Sequence, residues 1–181
     1  QEALALDFRL AGDLDRLRLL DFSDIARATP GLVVSGGSPT TMGFSVRGIT
    51  QNSGDATREP RVSVFQDGVS ASRARGAYFE LFDLERVEVA RGPQSTLFGR
   101  SAMTGAVNVI QRKPSLAGTT WQVTAAGGEA DGHLVEGVAN VAWTDTAARL
   151  AFRSRRWNGD VANALGPRAD SDATDALRGS L

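Results

Sequence analysis

The sequence contains no cysteine and a single histidine, His133, among its 181 residues. Without cysteine there can be no disulfide framework and no thiolate metal site. One histidine excludes a multi-histidine metal centre and gives no support for a serine, histidine and aspartate triad. The phosphate-binding patterns GxGxxG and GxxxxGK and the spaced carboxylates of a calcium loop are also missing. The sequence therefore predicts no catalytic residue, no metal site and no cofactor.

Long apolar runs and an excess of one charge are absent as well. No stretch of about 18 apolar residues occurs, which argues against a transmembrane helix. The formal net charge is -1, so there is no basic excess of the kind that favours nucleic acid as a partner. Aromatics make up 7% of the chain and glycine is frequent, at 20 residues, which indicates many turns and not a helical bundle. Alternating strands of about ten residues could still span a membrane if they close into a barrel.

The most informative stretch covers residues 83–114 and reads DLERVEVARGPQSTLFGRSAMTGAVNVIQRKP. Residues 86–89 and 106–110 alternate between apolar and polar side chains, the pattern of half-buried strands. Gly92-Pro93 ends the first of them, because proline has no backbone N–H to donate to a strand ladder. On these residues alone the stretch is an ordinary strand, turn and strand unit.

Residues 86–114 resemble the signature of the plug domain of TonB-dependent outer-membrane receptors. That pattern runs R-hydrophobic-E-V-x-R-G-P, then L-(Y/F)-G, then G-(A/G)-hydrophobic-N-hydrophobic-I and a basic residue with proline. Three upstream segments resemble the family in the same order: DFSDIARATPGL, a short helix over 23–28 capped by Ser23 and ended by proline; FSVRGI, a strand over 44–49; and RVSVFQDGV, a strand ending in an Asp-Gly turn. One further helical turn is predicted over 79–84.

The resemblance implies an α+β plug domain over residues 1–113, a small mixed sheet of five or six strands with short helices. Residues 114–181 are expected to form the first three to four antiparallel strands of a transmembrane β-barrel. Their alternating segments are nine to eleven residues long, with a tight turn at 144–146, a long polar connection at 157–173 and tryptophans near segment ends. Because so few strands cannot close, we expect the sequence to be a truncated piece of a larger barrel. A soluble antiparallel meander explains the alternation equally well.

The resemblance also implies roles for individual residues. Plug arginines of the family pair with glutamates of the barrel wall, a task suited to the planar guanidinium. The residues expected to make plug–barrel contacts are Arg47, Glu88, Arg91 and Arg100, with Glu88 ordering Arg91 or Arg47. The residues of the structural motif are Gly48, Asp67, Gly68, Gly92, Pro93, Gly99 and Gly105. Ligand recognition is expected in the loops 50–60 and 70–78, through Arg58, Arg73, Arg75 and Tyr78.

The implied function is TonB-dependent uptake of a scarce nutrient, such as a siderophore, across the outer membrane of a Gram-negative bacterium. Its partners would be TonB with its inner-membrane complex, an extracellular ligand and outer-membrane lipid. Converging loop arginines favour an anionic metal chelate. No TonB box is evident, since residues 2–7 match it poorly, and no enzymatic activity is expected. The alternative is a soluble periplasmic module with a plug-like fold that serves interaction or signalling.

Overall fold

A computed structural model describes residues 5–10, 21–35, 43–50, 62–71, 80–92, 102, 104–128, 132–159 and 171–181. The chain divides into two compact units, Gln1–Arg112 and Lys113–Leu181, one residue before the boundary expected at Lys113. The helix of the described residues is too short to cross a membrane. Two sheets belong to the first unit and one to the second.

The first unit is built on a five-stranded mixed sheet. Its strands are β1 (Ala5–Leu10), β5 (Val62–Gln66), β6 (Val69–Ala71), β7 (Leu84–Arg91) and β8 (Gly105–Gln111). They lie in the order β1-β7-β8-β5-β6; β5 and β8 are parallel, and the other neighbours are antiparallel. A three-stranded antiparallel sheet contains β2 (Leu32–Ser35), β3 (Gly43–Val46) and β4 (Ile49–Thr50).

Helix α1 (Phe22–Ala28) begins one residue earlier than predicted, and Asp21 is its N-cap in place of Ser23. The Asp21 carboxylate accepts the Asp24 amide at 2.9 Å, and the Asp24 carboxylate accepts the Asp21 amide at 3.3 Å. This reciprocal capping box satisfies two amides, and both carboxylates lie at the positive end of the helix dipole. The helix ends at Ala28, as predicted, and Thr29 is its C-cap before Pro30.

Two further predictions of local structure were wrong. Residues 44–49 do not form one strand, because Arg47 and Gly48 make a two-residue turn between β3 and β4. Residues 80–83 contain no helical turn; Leu81 and Phe82 are buried in an extended segment, and Asp83 has a φ of 50°. Both errors come from backbone with positive φ at a residue other than glycine, which local patterns rarely reveal.

The core of the first unit lies between one face of the five-stranded sheet, helix α1 and the smaller sheet. Phe22 of α1 meets Phe44 of β3 edge to face, with ring centroids 5.4 Å apart, the geometry that aromatic pairs prefer. The valines of β7 and β8 are fully buried against them. The members of this core are Phe22, Ile25, Leu32, Phe44, Val46, Val62, Val64, Leu81, Leu84, Val87, Val89, Val107 and Val109.

The second unit is an antiparallel meander of β9 (Thr120–Gly127), β10 (His133–Ala142), β11 (Ala147–Trp157) and β12 (Asp172–Ser180). Each strand pairs with its neighbour in sequence, in the order β12-β11-β10-β9. The tight turn after β10 is closed by the Trp143 amide, which donates to the Thr146 carbonyl at 2.8 Å. Strands of eight to eleven residues and the predicted antiparallel pairing are both present.

Candidate functional site

Two turns of the same geometry present the motif residues of the first unit. Arg47-Gly48 joins β3 to β4, and Asp67-Gly68 joins β5 to β6; each is a two-residue loop. All four residues have positive φ, between 50° and 80°. Two successive positive φ values are the requirement of a type I′ turn, which explains glycine at the second position of both. Arginine is unusual in such a conformation, so Arg47 is held there at a cost.

Arg47 and Arg91 reach consecutive carbonyls of one turn, at Pro30 and Gly31. The Arg47 amide donates to the Gly31 carbonyl at 2.9 Å, and Arg91 Nη1 donates to the Pro30 carbonyl at 3.2 Å. The Arg47 side chain is exposed. Arg91 Nε is buried and has no acceptor among the residues that the structure describes. We call these two guanidinium groups and the 30–31 carbonyls the arginine site.

Gly105 permits the close packing of β3 against β8 next to Arg47 and Arg91. It pairs with Arg91 across β7 and β8. A Cβ atom at this position would lie 2.9 Å from the Ala90 carbonyl oxygen and 3.0 Å from Val46 Cγ2, just before Arg47. Any larger residue would push β3 away from β8, so this glycine sets the distance between the two sheets at the arginine site.

Glu88 pairs with a different arginine from the one predicted. Its Oε1 accepts from Arg86 Nε at 2.8 Å, and its Oε2 accepts from Asn108 Nδ2 at 3.0 Å. Residues 86 and 88 lie on one face of β7, whereas residue 91 points to the other face. The hydrogen bond that Arg86 donates to Glu88 raises the pKa of Arg86 above its ordinary value. The expectation that Glu88 orders Arg91 or Arg47 was wrong.

The Asp67-Gly68 turn is tied to the same network through β8. The Gly68 amide donates to Asn108 Oδ1 at 3.3 Å, and Asp67 Oδ1 accepts the Gln111 amide at 2.9 Å. The Asp67 amide donates to the Val109 carbonyl at 3.0 Å. Asp67 therefore acts as a turn residue with a structural carboxylate, and Asn108, which sequence reasoning did not single out, links the turn to Glu88.

Five of the predicted ligand and contact residues cannot be placed. Arg58, Arg73, Arg75, Tyr78 and Arg100 lie outside the described residues, as do Pro93 and Gly99 of the structural motif. Gly92 has a φ of 123° and its amide donates to the Thr104 carbonyl at 3.1 Å. Among the described residues no three histidine, aspartate or glutamate side chains are grouped as metal ligands.

In the second unit, the two faces of the sheet differ sharply in chemistry. One face carries apolar residues that are exposed, among them Trp121 at 77% and Leu177 at 74%. Two complete cross-strand rows show the pattern: Trp121, Ala139, Leu150, Gly179 and Val123, Gly137, Phe152, Leu177. Such an apolar surface is much larger than isolated surface side chains and requires an apolar environment or partner.

The opposite face of this sheet is polar and rich in arginine. Two of its rows are Thr120, Asn140, Arg149, Ser180 and Thr124, Glu136, Arg153, Ala176, and the row between them is Gln122, Val138, Ala151, Arg178. Arg153 is buried, and its Nε lies 2.9 Å from Glu136 Oε1 on the neighbouring strand. Arg155 Nη2 lies 2.6 Å from Asp172 Oδ2. An apolar face and a polar, charged face on one meander match the alternation of a transmembrane β-strand.

Comparison with known proteins connects the first unit to one family. Residues 11–106 match the model of the TonB-dependent receptor plug domain. The chain is 34% identical over 105 residues to the iron-regulated outer membrane virulence protein of Vibrio cholerae serotype O1, and 33% identical over 91 residues to the pesticin receptor of Yersinia pestis. These matches cover 56% and 50% of this chain but 16% and 13% of the relatives, so the chain spans a small part of their length.

Solved structures share the fold at lower sequence identity. The ferric yersiniabactin uptake receptor FyuA of Yersinia pestis matches with a TM-score of 0.78 at 23% identity, over 98% of this chain and 28% of that chain. The pyoverdine outer membrane receptor FpvA of Pseudomonas aeruginosa PAO1 matches with a TM-score of 0.71 at 19% identity, over 87% of this chain and 23% of that chain.

Proposed function

Because the match over residues 11–106 covers more than half of its 181 residues, the chain belongs to the TonB-dependent receptor plug domain family, and we propose that it serves nutrient uptake. The receptor lies in the outer membrane of a Gram-negative bacterium. The first unit is its plug, and the second unit supplies the opening strands of the barrel. Relatives that are named an iron-regulated outer membrane protein and a ferric yersiniabactin uptake receptor support a ferric chelate as the ligand.

The arginine site is the observation that supports this proposal most. The 30–31 turn binds the backbone amide of Arg47 and one nitrogen of Arg91, and Arg91 Nε has no acceptor among the residues that the structure describes. A carboxylate on the barrel wall would satisfy the buried Arg91 Nε with a charge-assisted bond. Arg47 and Arg91 thus hold the plug, and force transmitted by TonB and its inner-membrane complex releases it.

The apolar face of the second unit supports the membrane location. Tryptophans at 121 and 143 lie toward the end of the sheet that is closed by the 143–146 turn, and both are exposed. Tryptophan is favoured where an apolar surface meets the headgroup region. The exposed face contacts lipid, and the polar face lines the interior of the barrel. The protein transports its ligand and converts no substrate.

Transport assays on the full receptor test this proposal. We expect uptake of radiolabelled iron, presented as ferric yersiniabactin or ferric pyoverdine, to require both the receptor and TonB. Arg91→Gln should leave binding unchanged and lower energised uptake several-fold or leave the channel leaky, and Arg91→Lys should recover part of the wild-type behaviour because it keeps the charge. Recovery of the protein from the periplasm instead of the membrane fraction would favour the soluble module.

Ligand selection in this proposal rests on the loops that carry Arg58, Arg73, Arg75 and Tyr78. These residues lie outside the described part of the chain, and the positive charges of the three arginines support the proposal. The double variant Arg73→Ala and Arg75→Ala should weaken binding of an anionic ferric chelate by about tenfold or more, because a charge-assisted bond contributes about 1.5–3 kcal/mol. Unchanged affinity would remove these arginines from the binding site.

A further inference from the structure

One side chain anchors the segment that leads into the first strand of the second unit. Asn140 of β10 is buried. Its side-chain amide makes three hydrogen bonds to the backbone of residues 115–118. Its Oδ1 accepts the Ser115 amide at 2.9 Å, and its Nδ2 donates to the carbonyls of Ser115 and Gly118, each at 2.8 Å. We call residues 115–118 the anchored turn.

Two further hydrogen bonds hold the same segment and the residue that follows it. The Ala117 amide donates to Ser115 Oγ at 3.2 Å, which stabilises the turn internally. The Ala142 amide donates to Thr119 Oγ1 at 3.2 Å, which ties the residue after the turn to the end of β10. Leu116, at the outside of the turn, is 58% exposed. The turn therefore depends on polar contacts with β10 and not on an apolar core of its own.

The chemistry of the site explains why asparagine is needed. Two carbonyl oxygens and one N–H converge on the side chain, so it must supply two donors and one acceptor in a planar group. Aspartate has the same shape but no donors, and it would place a negative charge against two carbonyl oxygens. Alanine would leave the three backbone groups without this partner.

We propose that Asn140 is a positioning residue that fixes the boundary between the movable plug and the stationary sheet. When the plug is displaced during transport, the chain yields before Ser115, and the register of β9 on β10 is preserved. The inference rests on the proposed function for the movement itself, but the anchoring of the turn can be measured without ligand or energy source.

Hydrogen exchange with mass spectrometry on the full receptor measures the anchoring. In Asn140→Asp, exchange within 113–119 should be about 30-fold faster than in the wild type, since the two hydrogen bonds that Nδ2 donates, of about 1 kcal/mol each, are lost. Exchange within β11 should not change. Asn158→Asp is the matched control, because Asn158 is exposed in the same unit, and its exchange should equal that of the wild type.

A second variant and a transport readout complete the test. Asn140→Ala removes all three hydrogen bonds without adding charge and should also accelerate exchange in the same segment. Both Asn140 variants should bind the ferric chelate normally and lose energised uptake by several-fold. Wild-type exchange in the anchored turn of both variants would overturn the proposal. Failure of both variants to assemble, with Asn158→Asp intact, would also overturn it by giving Asn140 a role in building the sheet. Absence of uptake in the wild type would instead refute the proposed function.

Discussion

Both units contain strands in which apolar and polar residues alternate, but the apolar residues are buried in the first unit and exposed in the second. In the first unit, Val87 and Val89 of β7 are fully buried beneath α1 and β3. In the second unit, Val123 and Leu150 occupy equivalent alternating positions and are 61% and 51% exposed. The described part of the second unit contains no helix to cover them. Period-two alternation therefore identifies a strand with two different faces, and the surrounding elements decide which face is buried.

The faces away from the apolar residues also differ between the units. In the first unit, Glu88 and Asn108 form a network that fixes a turn. In the second unit, ion pairs such as that of Arg153 with Glu136 cross directly between neighbouring strands. The network of Glu88 and Asn108 thus extends from β7 and β8 to a turn, whereas Arg153 and Glu136 form an ion pair between two strands only. The variants below test this contrast, beginning with the largest expected effect.

The largest difference is expected when lysine replaces a valine at corresponding strand positions of the two units, Val89 and Val123. Val89→Lys places a charge in the core, where the cost exceeds about 4 kcal/mol, so the first unit should lose its fold. Val123→Lys should have little effect in water, because this side chain is already exposed. In a bilayer it should cost up to about 2–4 kcal/mol, the range for lysine at the middle of a lipid-facing strand.

Limited proteolysis of the first unit and urea unfolding in lipid vesicles separate these outcomes. All three tryptophans lie after residue 120, so tryptophan fluorescence follows the second unit alone. Val123→Lys with wild-type stability in vesicles would mean that the apolar face does not contact lipid. Protease resistance of Val89→Lys would contradict the described core.

A smaller effect is expected from adding one methyl group at a glycine. In Gly105→Ala the new Cβ would meet a backbone oxygen at 2.9 Å and Val46 at 3.0 Å. Because a backbone atom cannot rotate away, we expect a loss of about 1–3 kcal/mol. Gly127→Ala is the control, since no atom lies within 4 Å of its Cβ position, and a change within about 0.5 kcal/mol is expected. Pulse proteolysis in urea measures both; equal stabilities would show that the two sheets do not pack closely at Gly105.

Sequence reasoning identified the first unit well because the residue types of its motif indicate where strands and turns lie. The Asp67-Gly68 turn and the strands over 86–89 and 106–110 were predicted and are present, whereas the turn at Arg47-Gly48 was missed. The partner of Glu88 was missed, because the resemblance drew attention to Arg91 while Arg86 lies on the same face of the same strand. The role of Asn140 had no local signal: its partners, Ser115 and Gly118, lie more than 20 residues away.

The pairing of Glu88 can be measured by double-mutant cycles. Glu88→Gln should destabilise the first unit by about 1–2 kcal/mol, since the half-buried Arg86 loses a charged partner. A cycle with Arg86→Gln should show coupling of about 0.5–1 kcal/mol, and a cycle with Arg91→Gln should show none. Glu85→Gln, at a more exposed carboxylate that also pairs with Arg86, serves as control and should cost less. Coupling to Arg91 and not to Arg86 would restore the original expectation for Glu88.

The smallest effect concerns an aromatic ring that covers a glycine on the exposed face. Phe152 pairs with Gly137, and a Cβ at Gly137 would lie 2.0 Å from Phe152 Cε1. A ring lying over a cross-strand glycine contributes about 0.5–1 kcal/mol. Gly137→Ala should therefore cost about that amount by displacing the ring.

The same alanine should cost almost nothing in the Phe152→Ala background, because no ring remains to be displaced. Leu150→Ala is the matched background, since Leu150 Cδ1 lies 3.9 Å from the Cβ position of Gly179 and leaves room there; the cost of Gly137→Ala should persist in it. Urea unfolding in vesicles, followed by tryptophan fluorescence, gives the four stabilities of each cycle. If the cost of Gly137→Ala were the same in both backgrounds, backbone preference and not the ring would explain the glycine, and the exposed face would be less ordered than its buried counterpart in the plug.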